Sequence, residues 1–364
     1  KKKDMAVTTL HIIKNNEKEL SSAIGKDLAI ITFYLKSLIE TEIKNENENF
    51  DAELLSIYDN KKDIKSILKF TTLNNSKLSA FKHIFKYQKS YDTFIFAHVN
   101  LAPLAIFLKI LKPNANILFC THGIEIWKKL SKSTEWIMNK STVLTVSNFS
   151  KNELLKYNPN LKDIRLFPNC IKMQDTSKIL NNPYNENEFN ILSVTRLSSS
   201  EKLKGIDTMI KTLPLLIKEI PNIKYSVIGK GEDTIRLKQI AKELDVEKYI
   251  DFLGFVDDIN AYYQYCDLFS LPSKKEGFGI VYLEAMQYKK PVLGVNFGGP
   301  TDVIKHNETG YLCEYDNVLE ISKYIMEIYT NPSKKNELGN NAYEYFINNF
   351  TYTHYQNNLR GILI

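Results

Sequence analysis

Ser270–Ala285 reads S-L-P-S-K-K-E-G-F-G-I-V-Y-L-E-A, and the stretch has the order of a strand, a loop and a helix. The apolar run Leu268–Leu271 is a strand that ends at Pro272. Gly277 and Gly279 allow backbone to approach a ligand closely. A helix begins near Gly279, and its first N–H groups and positive dipole end suit an anion such as a diphosphate. Glu276, in the loop, can accept hydrogen bonds from hydroxyls. Glu284, eight positions on, lies a turn or more into the helix and could reach a ribose. Taken alone, two glutamates at this spacing are more often a loop carboxylate and a solvated helix carboxylate.

Working outward, strands alternate with helices on both sides of this segment. Before it, Phe189–Val194, Ile223–Gly229 and Ile250–Gly254 read as strands, with helical patterns over Gly205–Ile220 and Thr234–Leu244. Pro214 should kink or break the first of these helices. After it come strands Pro291–Val295 and Tyr311–Cys313, then helices Val318–Thr330 and Ser333–Asn349. The first half repeats the pattern. Val7–Ile13, Phe50–Tyr58, Thr93–Ala97, Ile117–Cys120 and Thr142–Val146 are strands, and Asp27–Glu40 has helical spacing. Alternation of this kind predicts parallel sheets covered on both faces, hence two α/β domains in tandem. Ligands of such sheets bind beyond the C-terminal ends of the strands.

Several residues follow strand ends and could carry chemistry. Arg196 follows Phe189–Val194, and Lys204-Gly205 opens the next helix, with Lys202 as a possible substitute for Lys204. Two converging cations would neutralise a diphosphate. Gly229-Lys230-Gly231 lacks the third glycine of a dinucleotide loop and reads as a tight turn. In the first half, His122-Gly123 ends strand Ile117–Cys120, and Gly25 lies in a loop after the first strand.

The Glu276–Glu284 segment resembles the donor-site signature of the retaining GT-B glycosyltransferases of family 4. The likeness is strong over Asn190–Tyr315 and moderate over Leu118–Asn169. It implies the GT-B fold, two Rossmann-like domains with parallel sheets facing a central cleft. The implied division is an acceptor-binding domain over 1–173, a linker over 174–188 and a donor nucleotide-sugar domain over 189–344. A last helix at about 345–364 would pack back on the first domain. The resemblance further implies that Arg196 and Lys204 bind the donor phosphates and that His122 and Gly123 face the transferred sugar. It places the base near Val256, gives Gly277, Phe278, Gly279, Ile280 and Glu284 to the donor, and matches Gly25 to a glycine that approaches the phosphates. Glu276 then orients the sugar. The implied activity is transfer of a hexose-type sugar, with retention, from a nucleotide-diphosphate donor to a glycan or lipid-linked acceptor in bacterial surface polysaccharide synthesis. A non-catalytic binding subunit and a GT-B nucleotide-sugar epimerase are the alternatives.

No D-x-D pair of the kind that holds a diphosphate through a divalent metal occurs in the chain, so no metal or other cofactor is expected. The four cysteines, Cys120, Cys170, Cys266 and Cys313, are far apart, as are the histidines; a zinc site is not expected, and the pattern fits a reducing cytoplasm. Charge is uneven: Lys1–Met173 carries 27 basic and 17 acidic residues, whereas Gln174–Ile364 carries 21 and 25. Eight lysines and one acid fall within Lys61–Lys89, interleaved with apolar residues. Two short basic amphipathic helices there would suit an anionic membrane surface on the cytoplasmic side. No nucleic-acid module is recognisable, and nucleic acid is not an expected partner.

Overall fold

A computed structural model of the chain describes residues 7–11, 53–56, 69–73 and 76–363. The chain divides into two compact units, Lys1–Asn169 with Tyr355–Ile364, and Cys170–His354.

Among the described residues the first unit holds seven strands: β1 (Val7–His11), β2 (Glu53–Ser56), β3 (Lys69–Thr72), β4 (Thr93–Phe96), β5 (Asn116–Thr121), β6 (Thr142–Thr145) and β7 (Ile164–Leu166). They form one parallel sheet in the order β3-β2-β1-β4-β5-β6-β7. The centre of the sheet is buried on both faces, so β4 (TFIF) reads as an apolar run and not as an alternation. Helices α1 (Lys77–Tyr87), α2 (Ala102–Leu111), α3 (Lys132–Met138) and α4 (Asn148–Tyr157) connect these strands. Ser76 caps α1 by accepting the Ser79 N–H, and the helix buries Ala80 and Ile84, four residues apart on one face.

The second unit holds β8 (Phe189–Val194), β9 (Ile223–Ile228), β10 (Ile250–Gly254), β11 (Leu268–Ser270), β12 (Val292–Val295) and β13 (Gly310–Cys313). Their order is β10-β9-β8-β11-β12-β13, again parallel throughout. Helices α5 (Ile206–Leu216), α6 (Thr234–Glu243), α7 (Asn260–Tyr265) and α8 (Ile280–Met286) lie between consecutive strands of this set. In each sheet the direction of winding reverses once, between β1 and β4 and between β8 and β11. These are the points at which open α/β sheets bind ligands.

One sequence expectation is corrected, and two strands, β3 and β7, went unread. Pro214 does not break α5, which runs on to Leu216. The proline lies in the final turn, where its missing N–H removes one bond close to the natural end, and Leu213 and Leu216 stay buried around it. Within the lysine-rich stretch, Lys69–Thr72 is strand β3, pairing with β2, and Lys77–Tyr87 is helix α1. Threonines at 71 and 72 fit an extended strand better than a helix. Strand β7 also went unread; three residues with Arg165 in the middle carry too little apolar signal. The expected helix Asp27–Glu40, Gly25, and Lys61, Lys62 and Lys65 lie outside the described residues.

Residues 174–188 contain no helix or strand. They are nonetheless fixed to the second unit. The Gln174 N–H donates to the Gln287 side chain at 3.1 Å, and the Leu180 N–H to that of Gln264 at 2.9 Å.

Candidate functional site

The second unit's switch point is built by three loops that touch. The loop after β8 carries Arg196 and ends in a short 3-10 turn, Ser199–Lys204, followed by Gly205. Gly205 has φ +78°, and a Cβ there would stand 2.2 Å from the Pro272 carbonyl oxygen. Glycine is therefore what lets this loop close on the segment after β11. The Lys274 N–H then donates to the Leu203 carbonyl at 2.9 Å. This closure brings Lys204 Nζ to 2.5 Å from Glu276 Oε1, with the two residues only 6% and 7% exposed.

The loop after β9 clasps the β8 loop from the other side. A Cβ at Gly231 would sit 1.8 Å from the Leu197 carbonyl oxygen, so the Gly-Lys-Gly sequence serves close approach of two loops. The Leu197 N–H donates to the Lys230 carbonyl, and the Asp233 N–H to the Leu197 carbonyl, each at 3.0 Å. The Glu232 carboxylate accepts the Ser199 N–H at 3.0 Å, the Ser199 hydroxyl at 2.7 Å and the Ser198 hydroxyl at 3.2 Å. Its own amide and these Ser199 groups hold its pKa down, to about 2.

Between the two loops is a concavity lined in part by Arg196, Lys202, Lys204, Arg236, Asp207 and Asp233. Arg236 makes a two-pronged pair with Asp233, 2.7 Å on each side, and reaches Asp207 at 3.3 Å. Four cations and two carboxylates leave the hollow positive, as an anion site requires. Sequence reasoning missed Arg236 and Asp233. The Asp-x-x-Arg spacing at the start of α6 was the available sign, since residues three apart on a helix are neighbours.

Glu276 is also held through its backbone, whose carbonyl accepts the Gly299 N–H at 2.7 Å. The helix after this loop, α8, has seven residues, and Gly279 before it has φ +98°. Phe278 is buried edge-on against Phe350 with centroids 5.7 Å apart, and Ile280 is buried too, so these two can offer a ligand only their backbone. Glu284 Oε2 accepts the Tyr263 hydroxyl at 2.7 Å, which turns it toward α7. Val256, half-buried, precedes α7 in the loop after β10. Asp258 accepts the Asn260 N–H at 3.0 Å and so shapes the turn that enters α7, whose cap position is Ile259.

In the first unit, His122 and Gly123 follow β5, with Gly123 at φ +127°. The His122 ring is buried, and Nε2 lies 2.8 Å from the Ala97 carbonyl oxygen. A carbonyl only accepts, so Nε2 carries a proton, and in the neutral ring Nδ1 is the acceptor. That Nδ1 is buried and has no hydrogen-bond partner among the described residues. His98, at the end of β4, stacks on it with centroids 5.9 Å apart and accepts the Asn100 N–H at 3.0 Å. Burial lowers the His98 pKa; Glu125 opposes the shift, and His122 and Lys128 add to it. Among the described residues, no group of three or more His, Cys, Asp or Glu side chains is placed to hold a metal ion.

Lys204, Glu276 and Arg196 are thus brought together, and Glu284 and the Val256 loop flank α7. His122 and Gly123 belong to the other unit. Two parallel Rossmann-like sheets, each with one switch point, are the GT-B architecture. The family described as glycosyl transferases group 1 matches residues 176–345. The chain is 35% identical over 143 residues to an uncharacterized glycosyltransferase of Haemophilus influenzae, covering 39% of this chain and 40% of that one. It is 30% identical over 148 residues to N-acetyl-alpha-D-glucosaminyl L-malate synthase of Bacillus anthracis, covering 41% and 39%. The chain therefore spans about two fifths of the length of these curated relatives. Among solved structures, a glycosyltransferase of Rickettsia africae superposes with TM-score 0.82 at 19% identity, over 99% of this chain and 98% of that one. Anabaena HepE in complex with UDP gives 0.78 at 17%, over 99% of each. At these identities the likeness establishes the fold.

Proposed function

We propose that the chain is a retaining glycosyltransferase of family 4, moving a hexose-type sugar from a nucleotide-diphosphate donor to a glycan or lipid-linked glycan. The observation that carries this reading is the buried Lys204–Glu276 pair at the switch point, beside Arg196 in a positive hollow. Breaking the sugar–phosphate bond puts negative charge on the departing diphosphate and positive character on the sugar ring. Arg196 and Lys204 take the diphosphate, and Glu276 orients the sugar and shares the Lys204 ammonium. Fixed cations aimed at the departing diphosphate stabilise that charge more than freely reorienting solvent does. Backbone of Gly277, Phe278, Gly279 and Ile280 borders the phosphates, Glu284 takes the ribose, and the Val256 loop takes the base. In the first unit, the unpartnered His122 Nδ1 suits a sugar hydroxyl, which would donate to it. Support comes also from the relatives' names, which include a GDP-mannose-dependent mannosyltransferase of Mycobacterium tuberculosis, and from the UDP complex of HepE.

The test is incubation with a panel of UDP-, GDP-, ADP- and CDP-sugars and glycan or lipid-linked acceptors. The readouts are nucleoside diphosphate release and the anomeric configuration of the product. Release of the diphosphate with retained configuration is expected, and Glu276→Ala should lose about a hundredfold in rate, the worth of about 3 kcal/mol in the barrier. A Glu276→Ala variant as active as wild type overturns the site. Binding without turnover would make the chain a binding subunit, and sugar isomers formed without acceptor would make it an epimerase.

The acceptor reading includes an anionic membrane surface at the cytoplasmic face. On α1, Leu78 and Phe85 are 66% and 64% exposed, and at helical spacing they share a side with Lys82, Lys86 and, just past the helix, Lys89. Apolar residues between lysines fit a lipid headgroup region, at about 1 kcal/mol per lysine near the surface. Co-sedimentation with phosphatidylglycerol vesicles should fall with added salt and be absent with phosphatidylcholine. No binding at low salt ends this part of the proposal.

A further inference from the structure

We infer that Tyr263 is a positioning residue that aims the Glu284 carboxylate at the ribose of the nucleotide donor; the inference rests on the donor-site reading above. Tyr263 is on α7, its ring 1% exposed between Phe269 and Tyr288, with centroids at 5.7 and 6.3 Å. The Tyr288 ring lies 4° from parallel to it, and the Tyr288 hydroxyl donates to Asn260, the first residue of α7, at 2.9 Å. The phenol is therefore fixed on a rigid platform. Its hydroxyl donates to Glu284 Oε2 at 2.7 Å.

Tyrosines of this unit find different partners: Tyr282 and Tyr265 donate to the main-chain carbonyls of Leu271 and Leu180, Tyr288 to the Asn260 side chain and Tyr324 to the Glu320 carboxylate. Tyr263 gives its proton to a carboxylate that is only half-buried. A carboxylate has about four lone-pair sites, so one bond to Oε2 leaves Oε1 able to accept from hydroxyls. An unrestrained glutamate on a helix samples many rotamers, whereas one pinned at Oε2 meets its ligand already ordered. The phenol is a constant donor: burial first, then the Glu284 charge, push its pKa well above the ordinary value. Position agrees with this role. The helix α7 starts four residues after Val256, so the same element links the loop assigned to the base with the carboxylate assigned to the ribose.

The rival account is that Glu284 exists to satisfy a buried phenol and touches no ligand. Nucleotide discrimination separates the two. The full chain, as wild type, Tyr263→Phe and Glu284→Ala, is titrated calorimetrically with UDP, GDP and ADP and their 2′-deoxy and 3′-deoxy forms. Comparison is made on the base that wild type binds most tightly. Wild type should prefer the ribonucleotide by about tenfold or more, as a site built to bond a hydroxyl rejects an analogue lacking it. Glu284→Ala should abolish the preference. Tyr263→Phe should reduce it by about threefold to tenfold, weakening the ribonucleotide while leaving the deoxy forms within about twofold. A packing role alone would shift both forms together.

If Tyr263→Phe discriminates like wild type while Glu284→Ala does not, the inference is overturned and the donor-site reading stands. If Glu284→Ala keeps the preference, or wild type shows none or binds no nucleotide, both fall. Should Tyr263→Phe not fold, Glu284→Asp keeps the charge but draws it back from an intact phenol. That variant should lose at least threefold of the preference, and full retention overturns the inference.

Discussion

Lys204 and Glu276 are charged, nearly buried and 2.5 Å apart, so each is the other's main protection against an unpaired charge in the interior. Lys204→Met should therefore cost about 3–5 kcal/mol of stability, well beyond the loss of one surface pair. The double variant Lys204→Met/Glu276→Leu should recover most of that in urea unfolding while remaining inactive. Equal stability of the single and double variants would contradict the pairing. His98 gives a second residue-scale test. Its folded pKa lies below the usual histidine value of 6.5, chiefly through burial. Below pH 6.5 the unfolded chain takes up a proton that the folded one refuses, so stability falls as pH drops from 6.5 toward the folded pKa. His98→Asn keeps an acceptor for the Asn100 N–H and should flatten the slope of the urea midpoint between pH 7 and 5.5. At this scale the types and local spacing of the site residues were legible, because Glu276, Gly277, Gly279 and Glu284 lie within one short segment. The Lys204–Glu276 contact was not legible, since it spans 72 positions and depends on Gly205 meeting Pro272.

The loops after β8 and β9 behave as one element, joined through Leu197, Gly231 and Glu232. Gly231→Ala should loosen the clasp at once, because a methyl would fall 1.8 Å from a carbonyl oxygen on a backbone with φ +159°. The expected result is a lowered melting temperature together with weaker nucleoside diphosphate binding, measured by thermal shift and titration. Glu232→Gln probes the charge in the clasp. With its folded pKa near 2, below the unfolded value of 4.5, Glu232 contributes its full share of stability above pH 4.5. That share is lost as pH falls from 4.5 to 2. The difference in urea midpoint between wild type and Glu232→Gln should thus be constant from pH 7 to 5 and shrink below 4.5. A difference that grows on acidification would refute the assignment. Sequence reading took Gly229–Gly231 as a tight turn because the loop it closes upon lies more than thirty positions earlier. Lysines interleaved with apolar residues suggest helix in Lys61–Lys89, and among the described residues there Lys77–Tyr87 is helix while Lys69–Thr72 is strand. Strand β3 is set by its pairing with β2, a tertiary fact of which Thr71 and Thr72 are only a weak local sign.

At the scale of the whole molecule, alternation of apolar runs with helical patterns was enough to read two parallel sheets, because strands buried on both faces declare themselves as unbroken apolar segments. The allocation of the chain's end is a different kind of fact. The last helix, α12 (Tyr352–Leu363, after α9 at Pro300–Val303, α10 at Val318–Thr330 and α11 at Pro332–Asn349), follows the second unit directly in sequence. From Tyr355 on it is part of the first unit, where Tyr355 and Leu359 are buried and the Tyr355 ring lies 4.4 Å from that of Phe167. Burial of two large side chains couples the end of the chain to a unit whose other residues stop at Asn169. Leu359→Ala alone should cost the first unit about 2–5 kcal/mol through the cavity it leaves. Deleting residues 355–364 should raise amide hydrogen exchange in β7 and around Phe167 while β8 and β11 keep their protection. If the deletion instead exposed the strands of the second unit, the helix would belong energetically to its neighbour in sequence and not to the sheet on which its tyrosine packs.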